Sequence, residues 1–232
     1  MPEADAFDED QEQISRELSE WLPRRGDKLI HQETPFAAHV DPLGYSDLLN
    51  PEKRSPIGRR GLYSDGFLQA GDRLVDSLKG SPVEDALIYP IVYVYRHHLE
   101  LELKGRILYC LNWLSGKNAE EIKSFASEKL NRNHRLLPLW HTLRNLYPCC
   151  AKQMPNETKA FEKLLAELDK LDPDGQAARY AEDIKEKQTF FGLYSLDLAL
   201  FRSAIHKMSH YLDCILESIG EELDWRSEMA SW

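Results

Sequence analysis

Seven apolar residues in the C-terminal part of the chain, Leu198, Phe201, Ile205, Met208, Leu212, Ile215 and Ile219, follow one another at spacings of 3, 4, 3, 4, 3 and 4. A helix gathers such a set onto one line, and a seam of this period packs nearly parallel or antiparallel to neighbouring helices. The spacing predicts a helix over about Ser195–Glu222. No run alternates apolar and polar residues as a half-buried strand does. No repeat with a period of about 20–50 residues is present. The fold class that follows is all-α, a bundle of long antiparallel helices.

Further helical stretches fit that class. They are expected at about Asp10–Trp21, Asp65–Lys79, Ala119–Lys129, Pro138–Leu146 and Asn156–Leu171, the last with Asn156 as its N-cap. From Pro23 to Gly61 the chain is rich in proline and has little periodicity, so it reads as an irregular segment. We divide the chain into an N-terminal extension, residues 1–60, and a helical-bundle domain, residues 61–232. Asp172-Pro173-Asp174-Gly175 is a turn signal. Gln176–Phe191 reads either as an irregular connection or as a small hairpin.

Composition narrows the function classes. With 232 residues, 29 Lys plus Arg and 39 Asp plus Glu, the net charge is −10, which opposes non-specific duplex binding through phosphate neutralisation. Charge is uneven, however. Lys53, Arg54, Arg59 and Arg60 form one basic cluster, and Lys129, Arg132, His134 and Arg135 form another. No apolar run approaches the roughly 20 residues of a bilayer span. The acidic start, MPEADAFDEDQEQ, is the reverse of a secretory leader. Four cysteines in a chain of this length do not suggest a disulfide framework. The expectation is a cytoplasmic protein with no membrane partner.

The most informative stretch is residues 82–116, PVEDALIYPIVYVYRHHLELELKGRILYCLNWLSG. Pro90 should open a second segment or kink this helix. With Arg96 at zero and steps of 100° per residue, Leu99, Leu103, Ile107, Cys110 and Leu114 fall within about 60° of it. Arg96 therefore lies in the middle of the buried stripe, with Glu100 at about 40° and His97 and Lys104 at its edge. His98 and Glu102, at about 200° and 240°, with Arg106 at about 280°, are assigned to the other side, which this reading takes as wet. An inward Arg–Glu pair must be desolvated and demands further polar partners or a route for a ligand. Two readings follow: a buried polar network that fixes helix register, or a pocket for an anionic ligand with Arg96 and Lys104 as donors and His97 as proton carrier.

Other constellations are weaker. His206 and His210 lie one helical turn apart but lack a third zinc ligand, so no metal is expected. Cys149-Cys150 is a vicinal pair and not a CxxC motif. No phosphate-binding glycine loop and no GxSxG elbow occurs, and no cofactor is expected.

YPIVYVYRHHLELELKGRI, followed by NHRLLPLW, RYAED and a long helix beginning SLDLALF, resembles a group of bacterial proteins placed near the HEPN (higher-eukaryote and prokaryote nucleotide-binding) superfamily of helical bundles. The resemblance covers roughly Gly61 to Glu222, with Tyr95-Arg96-His97, Glu100, Leu103 and Lys104 as its most specific part. Ala181 stands where the usual proline follows Arg179-Tyr180. The resemblance implies RNA or a nucleotide-like anion as ligand, a homodimer, a protein partner encoded nearby, and a setting in bacterial stress, toxin–antitoxin or phage-defence systems. Many such domains are metal-independent ribonucleases with an Arg-x4–6-His motif. The one matching spacing here, Arg135-x5-His141, contains Pro138 and sits outside the last helix, while Arg202-x3-His206 is a residue too short. Catalysis, if present, falls to His97 and His134, with Arg96 and Lys104 holding the anion and Glu100 orienting Arg96. The alternative is a non-catalytic interaction or dimerisation module whose charged group is structural.

Overall fold

A computed structural model describes residues 56–115, 117–180 and 195–230. The chain divides into two compact units, Met1–Pro51 and Glu52–Trp232, and every described residue belongs to the second. The helix expected at Asp10–Trp21, most of the Pro23–Gly61 segment and the Gln176–Phe191 stretch beyond Tyr180 lie outside the described residues.

Among the described residues the regular structure is entirely helical. Helix α1 spans Pro56–Ser77, and a 3₁₀ segment, Pro82–Leu87, leads into α2, Ile88–Trp113. Helix α3, Ala119–Phe125, continues as a π-turn over Ala126–Leu130. Then come α4 (Leu136–Leu146), the short α5 (Cys149–Gln153), α6 (Pro155–Leu171) and α7 (Leu198–Ala230). No helix among the described residues is long and apolar enough to cross a membrane.

The helix ends follow from local chemistry. Gly80, at φ +80°, takes the left-handed turn after α1. Glu84 then accepts from the amides of Lys79 at 2.7 Å and Ser81 at 3.1 Å, which starts the 3₁₀ segment. Pro90 sits in the first turn of α2, where its missing amide costs nothing. Asn118 and Glu121 cap α3 reciprocally: the Asn118 side chain accepts from the Glu121 amide at 3.0 Å and Glu121 from the Asn118 amide at 2.9 Å.

Several expected bounds shift. Helix α1 begins at Pro56, inside the stretch read as irregular, because Pro at the first helical position is already set to helical φ. For the same reason α6 begins at Pro155, so Asn156 lies inside the helix and Met154 holds the capping position. Helix α7 starts at Leu198, with Asp197 accepting from the Leu200 amide at 3.0 Å, and runs on to Ala230. Beyond Ile219 it meets no proline, and a Glu222–Arg226 pair at 2.9 Å supports the exposed turns.

Contacts between helices fix their directions. Ser64 meets His98 while Asp72 meets Tyr95, so α1 is antiparallel to α2. Asp72 and Asp76 meet His206 and Arg202, so α1 is antiparallel to α7 as well. Yet His98 meets Ser209 and Arg106 meets Asp213: α2 and α7 run parallel. The expectation of antiparallel long helices fails for this pair because an even number of chain reversals separates them. The segment 119–130 carries the chain back so that α4 starts beside the N-terminal half of α2, and α6 returns it again before α7.

Helix α2 is the centre of the bundle, with α1, α4 and α7 all packed on it. Fifteen of its 26 residues are buried, so it has no wet face of any breadth. The seam of α7 is buried as expected from Ile205 to Ile219, while Leu198 and Phe201 at its start are partly so. At Gly71 α1 comes so close to α2 that a Cβ would lie 2.6 Å from the Tyr95 ring.

Candidate functional site

Arg96 and Glu100 point inward, as the apolar stripe requires. Arg96 is 1% exposed, Glu100 3% and Lys104 4%. Arg96 Nε donates to the Asp172 carbonyl at 2.9 Å, Nη1 to Glu100 Oε2 at 3.1 Å, and Nη2 to the His134 carbonyl at 2.5 Å. One guanidinium thus ties α2 to the loop before α4 and to the turn after α6. That turn backs directly onto it: a Cβ on Gly175, whose φ is +77°, would lie 2.7 Å from Arg96 Nη1. The Asp172-to-Gly175 turn was legible; its role as a lid over Arg96 was not, because the partners are 76 residues apart.

Glu100 is the hub. Its Oε1 accepts from Lys104 Nζ at 2.7 Å and faces His134 Nδ1 at 3.0 Å. His97 Nδ1 lies 4.0 Å from Oε2. Burial pushes the Glu100 carboxyl up, but the Lys104 ammonium, the Arg96 guanidinium and His134 outweigh it and hold the group below the usual carboxylate range. Asp172, fully buried, accepts from the Ala177 amide at 3.0 Å through Oδ1. Its Oδ2 has no hydrogen-bond partner and is balanced electrostatically by Arg96 Nε at 3.6 Å. Two cations and two carboxylates make this cluster neutral when the histidines are neutral.

His97 stacks parallel to Tyr93 at 5.7 Å between ring centroids, and Phe67 meets it edge-on at 4.5 Å. Arg179 lies over Tyr93 at 5.7 Å. The strings that carry the HEPN resemblance (around Arg96, His134 and Arg179) therefore meet at one end of the bundle. His134 is the accessible member, its side chain 51% exposed. Its Nδ1 faces Glu100, which leaves Nε2 for a ligand.

The face opposite Arg96 is not wet. His98, Glu102 and Arg106 are 1%, 6% and 7% exposed, because α1 and α7 cover that side of α2. His98 Nδ1 faces the Ser64 carbonyl at 3.0 Å and the Ser64 hydroxyl at 2.8 Å, and Nε2 faces Ser209 Oγ at 3.0 Å. A proton on Nδ1 satisfies all of these contacts in a neutral ring, with the Ser209 hydroxyl donating to Nε2. Arg106 pairs with Glu102, donates to Asp213 at 2.6 Å and reaches the Leu212 carbonyl at 3.1 Å. Helix α2 thus carries two charge networks on opposite faces.

Burial pushes both His97 and His98 below the usual histidine value, so the folded protein keeps them neutral. Below about pH 6.5 the unfolded chain binds protons that the folded chain refuses, and stability falls with pH by at most about 1.4 kcal/mol per unit for each histidine. Glu100 and Asp72, both held low, add their own loss only in more acid solution, as pH falls from the ordinary carboxylate range through their lowered values. The urea midpoint is expected to be lower at pH 5.5 than at pH 7.5, and equal midpoints would contradict the neutral-histidine assignment.

A third polar group went unread in the sequence. Asp72 Oδ1 accepts from Tyr95 Oη at 2.7 Å, faces His206 Nε2 at 2.8 Å, and forms an ion pair with Arg202, whose Nε lies 3.0 Å away. Arg202 also binds Asp76 at 2.6 Å. The i,i+4 spacing of Asp72 and Asp76 against Arg202 and His206 was the available signal. These pairs lock α1 to α7. Arg135, of the Arg-x5-His spacing, lies 3.6 Å from Asp169, and His141 is exposed.

Comparison of the chain with protein-family models, curated proteins and solved structures gave no match.

Proposed function

We propose that this chain is a HEPN-like protein that binds RNA or a nucleotide-like anion at the bundle end where His97 and His134 come to the surface. The observation that supports it most is Glu100. One buried carboxylate is addressed by two partly exposed imidazoles and held by two buried cations. Arg96, with three nitrogens engaged by protein acceptors, acts as a positioning residue. Lys104 holds Glu100 in place, and Glu100 fixes the tautomer and direction of His134. Direct contact with a phosphate falls to the imidazolium form of His134, which donates through Nε2 while Nδ1 stays on Glu100, flanked in sequence by the exposed Arg132 and Arg135. For cleavage, His97 would take the 2′-hydroxyl proton and His134 would return one to the leaving 5′-oxygen. By resemblance, such a protein acts in bacterial stress or defence.

The test is binding and cleavage of a labelled single-stranded RNA by wild type, His134→Ala and His97→Ala. His134→Ala is expected to stay folded, since its carbonyl and not its ring holds Arg96, and to weaken binding about tenfold or more, the worth of one charge-assisted hydrogen bond. Wild type that binds no RNA at low salt ends the proposal.

A second reading has an observation of its own. The guanidinium of Arg96 is already satisfied, while a groove between α6 and α7 is apolar and Leu200 on its edge is exposed. On this reading the protein is a non-catalytic interaction or homodimerisation module. Sedimentation of wild type together with a null RNA result would favour it.

A further inference from the structure

Near Met154 the space between α6 and α7 forms a cavity of about 350 Å³. Met154, Ala160, Phe161, Met208 and Tyr211 make its walls largely apolar. Into it face Cys214 and His210, one turn apart on α7, with Cys214 Sγ 3.9 Å from His210 Nε2. Lys207 also lines the cavity from α7, and Glu157 from α6. The other described thiols are placed differently: Cys110 is fully buried in the core, and Cys149 lies at the start of α5. Cys214 therefore combines a neighbouring imidazole and an apolar space large enough for an organic group.

Those two features match one chemistry. A thiol reacts as its thiolate, and an imidazole within reach of the sulfur can take the proton. An apolar cavity selects an apolar reaction partner. We propose that Cys214 is a covalent modification site for α,β-unsaturated carbonyl compounds with apolar tails, with His210 as its base. The Cys214 proton passes to His210 Nε2, and Sγ forms a bond to the β-carbon of the enone. The π electrons of the C=C bond move onto the carbonyl oxygen as an enolate, and the imidazolium returns the proton to the α-carbon. No group leaves and no oxidant is needed.

The experiment exposes the full-length protein at pH 7 to trans-2-nonenal or to acrylamide, a small polar acceptor. Adducts are followed by intact mass and located by peptide mapping. Cys214 is expected to carry the first adduct, and Cys214→Ser to remove it. The ratio of nonenal to acrylamide rates should exceed that of free glutathione. His210→Gln, at an exposed position, should slow the Cys214 adduct by about tenfold or more. Ala160→Leu should slow nonenal more than acrylamide. The proposal is overturned if another cysteine reacts first, if His210→Gln leaves the rate unchanged, or if the wild-type rate ratio equals that of glutathione. The last measurement needs no variant.

Discussion

Arg96→Ala is expected to cost on the order of 3–5 kcal/mol of folding stability, more than any other substitution argued for among the described residues. The reason lies in what the guanidinium leaves behind. Glu100 loses one of its two cationic partners, the Asp172 carboxylate loses the charge that balances its unbonded oxygen, and the carbonyls of Asp172 and His134 lose their donor. All of this happens where the Arg96 and Asp172 side chains are almost wholly cut off from water, so solvent cannot replace the missing donors. Arg96→Lys should recover little, because one ammonium cannot span three acceptors set in a planar fork. For a domain of this size each kcal/mol moves the melting temperature by about 2–4 °C, so a drop of roughly 6–20 °C is expected. Urea unfolding of wild type and both variants measures it. A loss under about 1 kcal/mol would mean that the guanidinium is not desolvated, and the account of the cluster would fail. The size of the effect also matters for the functional question. Loss of RNA binding in Arg96→Ala says nothing about ligand contact, whereas the same loss in His134→Ala does.

The inward placement of Arg96 and Glu100 was legible because Leu99, Leu103, Ile107 and Cys110 draw a stripe through them, and all four are fully buried. The other face of α2 was misread by the same logic. A single stripe implies a single buried face, which holds for a helix at the edge of a bundle but not for one at its centre. The warning lay in Leu101, Leu108 and Ile91, which fall at about 140°, 120° and 220° from Arg96, far from the stripe. Three aliphatic residues on a supposedly wet side mean a helix wrapped all round. The α7 seam was legible for the opposite reason: α7 lies at the edge, and its burial is one-sided. What no local pattern gives is which distant carboxylate answers which cation. Asp172 read as a turn residue and Asp72 as an ordinary helix charge, and only the docking of α6 and α7 shows each to be a partner.

On that misread face, Arg106→Ala is expected to cost on the order of 3 kcal/mol, less than Arg96→Ala because its partner Asp213 is 54% exposed and can turn to water. Glu102 cannot; it is buried beside Arg106 and has this ion pair on it. Removing the guanidinium leaves Glu102, Asp213 and Asp65 facing one another. Asp65 is already pushed up, first by burial and then by Glu102, with His98 and Arg106 pulling it down. Without Arg106, which pulls it down, the Asp65 carboxyl sits still further above its unfolded value, so the penalty is full at neutral pH and shrinks as pH falls and Asp65 takes a proton. The gap between wild type and Arg106→Ala in urea should therefore narrow from pH 7.5 to pH 5.5, even though wild type itself weakens as His97 and His98 resist protonation. Arg96 and Arg106 are ten residues apart, about 15 Å along the axis, so the double variant should lose the sum of the two single losses. A gap that widens on acidification would mean that the three carboxylates do not share a field. An Arg106→Ala protein as stable as wild type would mean that this side of α2 is wet after all.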